Sequence, residues 1–224
     1  MTEFAAMPAL LEGVTVVPVV VVQDAGQAVP LAQALVRGGI RVVEVTLRSG
    51  AALEAIERIA AEVPEMQVGA GTVTTVGQVQ AVARVGASFV VTPGSPFSLL
   101  DAVADSGLPV LPGAGTVTEM MRLRDLGITL QKFFPAEASG GRAFLRAVSG
   151  PLPELRFCPT GGISADNASG YLGLGNVACV GGSWLTPKDA LASGDWARIE
   201  RLAQEASGLA VGVASEQTRT SRRF

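Results

Sequence analysis

The sequence predicts an α/β protein that folds as a single (β/α)8 (TIM) barrel. Short runs of β-branched residues alternate with segments of helical periodicity along most of the 224 residues. The strand segments are almost continuously apolar, which is typical of parallel strands covered by helices. A chain of 224 residues lies near the lower end of the range for such a barrel, so short connections are expected. An open doubly wound sheet is the structural alternative.

Eight strand segments are predicted, and their number favours a closed barrel over an open sheet. Each is short, rich in valine or another strand-forming residue, and followed by a helical pattern. In chain order the eight are Val16–Val22, Val42–Leu47, Gln67–Ala70, Phe89–Thr92, Pro109–Leu111, Thr129–Phe134, Arg156–Pro159 and Val177–Val180.

The helices between these strands carry start and stop signals. Thr75 with Gln78, and Thr116 with Glu119, have the spacing of a capping box. Four glycines stand where a helix is expected to end: Gly38, Gly86, Gly107 and Gly127.

One domain, residues 1–210, is expected to hold the barrel together with a short N-terminal helix. Apolar periodicity fades after Leu209, and the end of the chain is polar, with Arg219, Arg222 and Arg223. Residues 211–224 are therefore predicted to form a flexible polar tail.

Composition excludes several classes of function. A net charge of −3 and a pI near 5.1 provide no basic field, so neither nucleic acid nor a membrane surface is an expected partner. The longest apolar run, Val14–Val22, is about half of a membrane span, and the chain starts without the basic segment of a secretory signal. Cys158 and Cys179 lack metal-site spacing, and histidine is absent. These features indicate the reducing cytoplasm and argue against a zinc site or a Ser/His/Asp triad.

The use of lysine is unusual. Of 17 basic residues only Lys132 and Lys188 are lysine, and the rest are arginine. A guanidinium stays protonated and cannot form an imine, whereas a buried lysine can act as a nucleophile. Lys132 lies in the predicted sixth strand, where it shares a face with Leu130 and Phe134. An alternative for Lys132 is a side chain whose head reaches water; for Lys188, which follows Pro187, a solvated surface position is expected.

The predicted second strand has one polar face. Alternation places Glu44, Thr46 and Arg48 on the side opposite Val43 and Val45. Because helices cover the outside of a barrel, the polar face is expected to point into the lumen near the catalytic end. A buried Glu/Arg ion pair that only fills the barrel is the alternative.

Two glycine clusters follow the last two predicted strands. Loops at these positions commonly bind phosphate, because glycine lets backbone N–H groups approach the anion closely. Tight turns are the simpler explanation, but a phosphate site is favoured when both clusters are taken together. Their residues are Thr160, Gly161 and Gly162, and Gly181, Gly182 and Ser183.

Several motifs in register resemble the bacterial 2-keto-3-deoxy-6-phosphogluconate (KDPG) aldolases and the related 4-hydroxy-2-oxoglutarate aldolases. The resemblance runs in order from about Val17 to Trp196. The motifs are Glu44-Val-Thr-Leu-Arg48, Val68-Gly-Ala-Gly-Thr72, Thr92-Pro-Gly94, Lys132-Phe-Phe-Pro-Ala-Glu137, Arg156-Phe-Cys-Pro-Thr-Gly-Gly162 and Gly181-Gly-Ser-Trp184.

This resemblance implies a homotrimeric barrel that cleaves KDPG reversibly to pyruvate and glyceraldehyde 3-phosphate, with no cofactor and no metal. It implies that Lys132 forms the Schiff base and that Glu44 is the general acid and base. Arg48 and Thr72 match residues that hold the pyruvyl carboxylate. The remaining matches are Pro93 and Phe134, which line the pocket, and Gly161, Gly162 and Ser183, which bind the phosphate.

The chain departs from the family at the mouth of the site. It reads Pro112-Gly-Ala-Gly-Thr116 where many members read Pro-Gly-Ile-Ser-Thr, and Ser95-Pro96 replaces a more usual Leu/Ile-Thr pair. These changes leave substrate breadth open. Alternatives are an aldolase for 2-keto-3-deoxy-6-phosphogalactonate or unphosphorylated 4-hydroxy-2-oxoglutarate, and a barrel that binds phosphometabolites without catalysis.

Overall fold

The computed structural model describes residue 4 and residues 7–220, with side chains as far as residue 209. Strands and helices alternate through this part of the chain, as the sequence predicts. The strands are β1 Val16–Val20, β2 Val42–Thr46, β3 Gln67–Gly71, β4 Phe89–Val91, β5 Val110–Leu111, β6 Gly113–Ala114, β7 Leu130–Phe133, β8 Arg156–Pro159 and β9 Val180–Gly182. The helices are α1 Met7–Leu10, α2 Ala28–Arg37, α3 Ala52–Glu62, α4 Val76–Arg84, α5 Phe97–Ser106, α6 Val117–Asp125, α7 Gly141–Val148, α8 Ala165–Leu172, α9 Lys188–Ser193 and α10 Trp196–Thr220.

The strands form two sheets, and the paired strands in both are parallel. Six strands lie in the order β5-β4-β3-β2-β1-β9, and three lie in the order β6-β7-β8. In the larger sheet Glu44 is paired with Val19 of β1 and with Gly69 of β3. In the smaller sheet Lys132 is paired with Gly113 and with Cys158. The α/β class with parallel strands and crossover helices is therefore confirmed.

The predicted fifth strand is divided in the structure. β5 pairs with β4, whereas β6 pairs with β7, and Pro112 separates the two short strands. Proline has no N–H to donate to a neighbouring strand, which explains the interruption. The carbonyl of Pro112 still accepts a hydrogen bond of 2.8 Å from the backbone N–H of Lys132.

The last strand begins later than predicted. Val177 forms only an isolated bridge with Phe157, and β9 includes Gly181 and Gly182, which the sequence suggests as a loop. Only glycine fits at these two positions, because neighbours occupy the space of a side chain. A Cβ on Gly181 would clash with the hydroxyl of Thr160, and one on Gly182 would clash with the Trp184 ring.

Apolar side chains pack on both sides of the strands. The larger group, which includes Val43 and Val45, joins the strands to the helices. A second group faces the opposite side and includes Val17, Val42 and Leu130, with Met7 packed against it. This alternation along the strands is the pattern of a sheet that has helices outside and a filled interior.

The predicted helix starts are confirmed, since both Thr75 with Gln78 and Thr116 with Glu119 form complete capping boxes. Three of the four predicted stops are glycines with positive φ, among them Gly107 at 72°. Gly38 has an ordinary φ of −77°, and the turn is made by Gly39 at 88°. Gly38 is instead required by close packing, because a Cβ there would collide with Ala203 of α10.

α10 extends to Thr220 and therefore includes most of the segment predicted to be a flexible tail. Residues 221–224 lie outside the described residues, and the flexibility of the tail stays a prediction. In the described part of the chain, no helix has the length and apolar character needed to cross a membrane.

Candidate active site

Lys132 and Glu44 meet in the interior of the protein, although 88 residues separate them along the chain. The Lys132 Nζ lies 3.3 Å and 3.4 Å from the two carboxylate oxygens of Glu44. Only 5% of Lys132 and 2% of Glu44 are exposed. Removing an amine and a carboxylate from water is costly unless they satisfy each other, so this contact requires a specific arrangement of β2 and β7.

Apolar and glycine neighbours define the space around this pair. The Lys132 Nζ is 5.4 Å from the centre of the Phe134 ring. Gly71 lies below Glu44, and a Cβ at Gly71 would come within 2.6 Å of the Glu44 Cδ. The carboxylate can occupy its position because residue 71 has no side chain.

Arg48 is held at the end of the same polar face. Its Nε donates a 3.2 Å hydrogen bond to the Thr46 hydroxyl, which itself donates to the Val20 carbonyl at 2.9 Å. Thr46 is 1% exposed, whereas Arg48 is exposed. The polar face that alternation predicts for β2 is therefore present, with Glu44 in the interior and Arg48 at the solvent end. The predicted alternative of a Glu44/Arg48 ion pair does not occur.

Thr72 directly follows β3, and Pro93 follows the neighbouring strand β4 after one residue, at the same end of the sheet. Thr72 has a φ of 57°, and it is the one non-glycine residue with positive φ in the described part of the chain. A β-branched residue is strained in this conformation, and such strain is concentrated at functional sites. Pro93 lies beside β6, because a Cβ on Gly113 would collide with the Pro93 carbonyl.

The two glycine clusters lie side by side. Thr160 forms a bridge with Gly181, and Gly161 and Gly162 have φ values of 99° and 81°. A Cβ on Gly161 would lie 3.4 Å from the Phe134 ring, and the centre of the same ring is 5.4 Å from the Lys132 Nζ. Ser183 is exposed at the end of β9.

The predicted site residues therefore lie within parallel strands or in the loops that follow them, with Glu44 in the middle of β2 and the others at or beyond the carboxyl ends. Glu44 and Lys132 are in hydrogen-bond contact, and the Phe134 ring lies near both the Lys132 amine and the loop of Gly161. Lys188 is exposed at the start of α9, as expected for a surface lysine.

Two features of the site were not found from the sequence. The Tyr171 hydroxyl donates a short hydrogen bond to Glu137, and the Asn167 side chain donates to the Gly162 carbonyl at 2.9 Å. Tyr171 and Asn167 lie on α8, where their spacing is that of an ordinary helix. Among the residues that the structure describes, His, Cys, Asp and Glu side chains form no cluster of three or more that could hold a metal ion.

Known proteins are similar to this chain in sequence and fold over most of its length. A family model described as KDPG and KHG aldolase matches residues 8–202. The 2-dehydro-3-deoxy-phosphogluconate aldolase of Pseudoalteromonas atlantica is 53% identical over 198 residues, which are 88% of this chain and 92% of the relative. The KHG/KDPG aldolase of Escherichia coli is 53% identical over 191 residues, covering 85% and 90%.

A solved structure shows the same fold. It is KDPG aldolase from Legionella pneumophila with pyruvate captured as a covalent carbinolamine intermediate. Its TM-score is 0.87 at 43% identity, and the match covers 90% of this chain and 98% of the Legionella chain. By the extent of the family match and the identity to these relatives, the chain belongs to the KDPG and KHG aldolase family.

Proposed function

We propose that this protein is a class I aldolase that cleaves KDPG reversibly to pyruvate and glyceraldehyde 3-phosphate through a Schiff base on Lys132. The observation that carries the proposal is the buried contact between the Lys132 amine and the Glu44 carboxylate, which places a nucleophile beside a proton acceptor. Pyruvate in the related Legionella structure is a covalent carbinolamine, the adduct that precedes an imine.

Substrate binding begins at the carboxylate. Arg48 lies at the open end of the polar face of β2, where its guanidinium can form two parallel hydrogen bonds with a carboxylate. Thr72 lies at the end of the adjacent β3 and assists Arg48 in this role. Holding the carboxylate there presents the C2 carbonyl to Lys132, and Pro93 and Phe134 line the pocket around it.

The chemistry then follows from the amine and the carboxylate. Lys132 attacks C2 as the free amine, and loss of water gives an iminium ion. Glu44, directly or through one water, removes the proton of the C4 hydroxyl. The C3–C4 bond breaks, its electron pair moves into the iminium to form an enamine, and the aldehyde leaves. Protonation of the enamine at C3 and hydrolysis release pyruvate, so the electron sink is the iminium ion and no step passes through a metal or cofactor.

The phosphate is assigned to the two glycine clusters. Thr160, Gly161 and Gly162 at the end of β8 lie beside Gly182 and Ser183 at the end of β9. Positive φ at the two loop glycines turns successive peptide units toward one side, as in backbone sites for anions. In this proposal the phosphate lies on the far side of Phe134 from Lys132.

We also propose that the two sheets are parts of one closed eight-stranded barrel within residues 1–210. β5 and β6 are joined through Pro112 alone, and β6 continues the pairing to β7. At the other edge, isolated bridges connect Phe157 with Val177 and Thr160 with Gly181. With β5 and β6 counted as one strand, these links leave no unpaired edge between neighbouring strands.

The partners are proposed to be the phosphorylated 2-keto acid, its two products and further copies of the chain in a homotrimer. Cytoplasmic location is proposed on the buried free thiols Cys158 and Cys179, which suit a reducing compartment. Neither nucleic acid nor a membrane is proposed as a partner, given the net charge of −3.

Cleavage of 4-hydroxy-2-oxoglutarate to pyruvate and glyoxylate is a second candidate activity. It is favoured by the 53% identity to the Escherichia coli protein, whose name includes both substrates. The half of the site that holds pyruvate is common to both reactions. Comparing kcat/KM for the two substrates, and for the galactonate epimer of KDPG, measures the preference.

Borohydride reduction in the presence of pyruvate, followed by peptide mass mapping, tests the Schiff base. We expect a reduced pyruvyl adduct on the peptide that contains Lys132 and none on the peptide that contains Lys188. The exposed Lys188 is a matched internal control, because it reports nonspecific imine formation in the same sample. Absence of an adduct on Lys132 would reject the class I mechanism and leave a barrel that only binds.

A further inference from the structure

The loop of Thr160, Gly161 and Gly162 is fixed by hydrogen bonds to its carbonyl groups. The backbone N–H groups of Ala136 and Glu137 donate to the carbonyls of Thr160 and Gly161 at 2.8 Å and 3.1 Å. The Asn167 amide donates to the Gly162 carbonyl at 2.9 Å. Three successive carbonyls of this loop are thus bound by neighbouring segments.

These bonds also fix the direction of the N–H groups. In a trans peptide unit the N–H points opposite to the carbonyl of the preceding residue. Holding the three carbonyls toward residues 136, 137 and 167 therefore turns the N–H groups of Gly161, Gly162 and Ile163 to the other side. The affinity of these N–H groups for an anion therefore depends on the segment that holds the carbonyls.

Tyr171 anchors that segment from α8. The side chain of Tyr171 is fully buried, and its hydroxyl donates a short hydrogen bond to the exposed Glu137 carboxylate. Burial, and then the hydrogen bond to Glu137, raise the pKa of Tyr171 far above its ordinary value, so the hydroxyl remains a donor at neutral pH.

Glycines on both sides make room for this contact. A Cβ on Gly162 would lie 2.6 Å from Glu137 Cγ, and a Cβ on Gly141 would lie 2.9 Å from the Tyr171 hydroxyl. Gly162 thus packs directly on the side chain that Tyr171 holds. The contact connects the exit of β7, which carries Lys132, to the loop that follows β8.

We propose that Tyr171 and Glu137 are positioning residues that hold the Gly161–Gly162 loop in the geometry that binds the substrate phosphate. The inference rests on the proposed function, because it takes this loop as the phosphate site. The proposal treats the two halves of the active site separately. Tyr171 and Glu137 affect the binding of the phosphate, whereas the pyruvyl end at Lys132, Glu44 and Arg48 does not depend on them.

Tyr171→Phe tests the proposal by removing one oxygen atom. Loss of a hydrogen bond to a charged acceptor predicts a rise of about tenfold in the KM for KDPG, with kcat changed by no more than about twofold. The binding of inorganic phosphate, measured by titration calorimetry, is expected to weaken by a similar factor. Exchange of solvent deuterium into the pyruvate methyl group, which needs no phosphate, is expected to stay at the wild-type rate.

Two further variants and one control separate positioning from general stability. Glu137→Ala removes the acceptor without opening the core and is expected to match Tyr171→Phe, whereas Glu137→Gln keeps an acceptor oxygen and should restore most of the affinity. Ile199→Val shortens a buried side chain of α10, outside the loop and the Tyr171–Glu137 pair, and is expected to lower stability. Its KM should remain that of the wild type.

Unchanged KM and phosphate affinity in Tyr171→Phe would overturn the positioning role while leaving the proposed function intact. A parallel fall in deuterium exchange would also overturn it, since it would indicate a general structural role. If the wild type fails to cleave KDPG, the proposed function is rejected, and the positioning role is then tested by the phosphate titration alone. Weaker binding by Tyr171→Phe then supports the positioning role, and absence of phosphate binding by the wild type rejects it.

Discussion

Gly71→Ala introduces a methyl group below the Glu44 carboxylate without changing any reacting side chain. The added Cβ would lie 2.6 Å from the Glu44 Cδ, whereas ordinary van der Waals contact begins at 3.4 Å. The Oε1 and Cγ atoms of Glu44 would lie nearer still, so the carboxyl group must move by more than about 0.8 Å. Because Gly71 lies in β3 with no positive φ, alanine adds no backbone strain of its own.

The displacement is large compared with the geometry it disturbs. The Lys132 Nζ lies 3.3 Å from the nearer Glu44 oxygen, already at the long end of a hydrogen bond. A misplacement of this size near reacting groups can reduce the rate by roughly a hundredfold. We therefore expect Gly71→Ala to lower kcat/KM for KDPG by about two orders of magnitude, and overpacking to cost about 1–3 kcal/mol of stability.

The assay couples pyruvate release to lactate dehydrogenase, and thermal unfolding is measured in parallel. Gly77→Ala is the matched control, because a Cβ at Gly77 in α4 would meet no atom within 4 Å. That variant should keep full activity and gain about 1 kcal/mol of helix stability. Wild-type kcat/KM in a folded Gly71→Ala protein would refute the argument that the position of Glu44 controls the reaction.

Three further predictions follow from the same geometry. Lys132→Arg keeps the positive charge but cannot form an imine, so both turnover and borohydride trapping of pyruvate should be lost; residual trapping on the same peptide would contradict this role. Glu44→Gln should slow cleavage by about 10²-fold or more while still allowing some pyruvate to be trapped on Lys132, and normal turnover would mean that another group is the base. The N–H of Gly115 donates to the Glu119 carboxylate and lowers the pKa of that group below the ordinary 4.5. The ionised Glu119 therefore stabilises the fold above pH 4.5, and this stabilisation is lost as the pH falls through the lowered pKa. Urea denaturation at a series of pH values should therefore show a smaller acid loss for Glu119→Gln, which keeps the capping box without the titration; equal losses would reject this contribution.

Much of the fold could be predicted from the sequence because the periodicity of burial is a local property. Arg156–Pro159 is a strand with the predicted bounds, and both capping boxes use side chains three residues apart. The same reasoning identified the polar face of β2 and the unusual Lys132. In each of these cases the signal lies within a few residues of the feature it predicts.

The departures arise where a distant neighbour decides the local structure. Gly181 and Gly182 belong to β9, and they are glycine because Thr160 and Trp184 leave no room for side chains there. Residue 38 must be glycine because Ala203 packs against it, and not because of the turn that follows α2. Such steric requirements depend on elements that pack together from far along the chain, so local patterns do not encode them.

The class of chemistry can be predicted from the sequence, because a lysine among arginines, a polar strand face and glycines after the last strands each have a local signature. Which of these groups meet depends on the tertiary structure. The contact of Lys132 with Glu44 spans 88 residues and depends on how two sheets face each other across the interior. The bond from Tyr171 to Glu137 depends in turn on how α8 packs against the exit of β7. Such contacts follow from the register and closure of the whole fold, and the free energy that fixes them comes from packing summed over many elements.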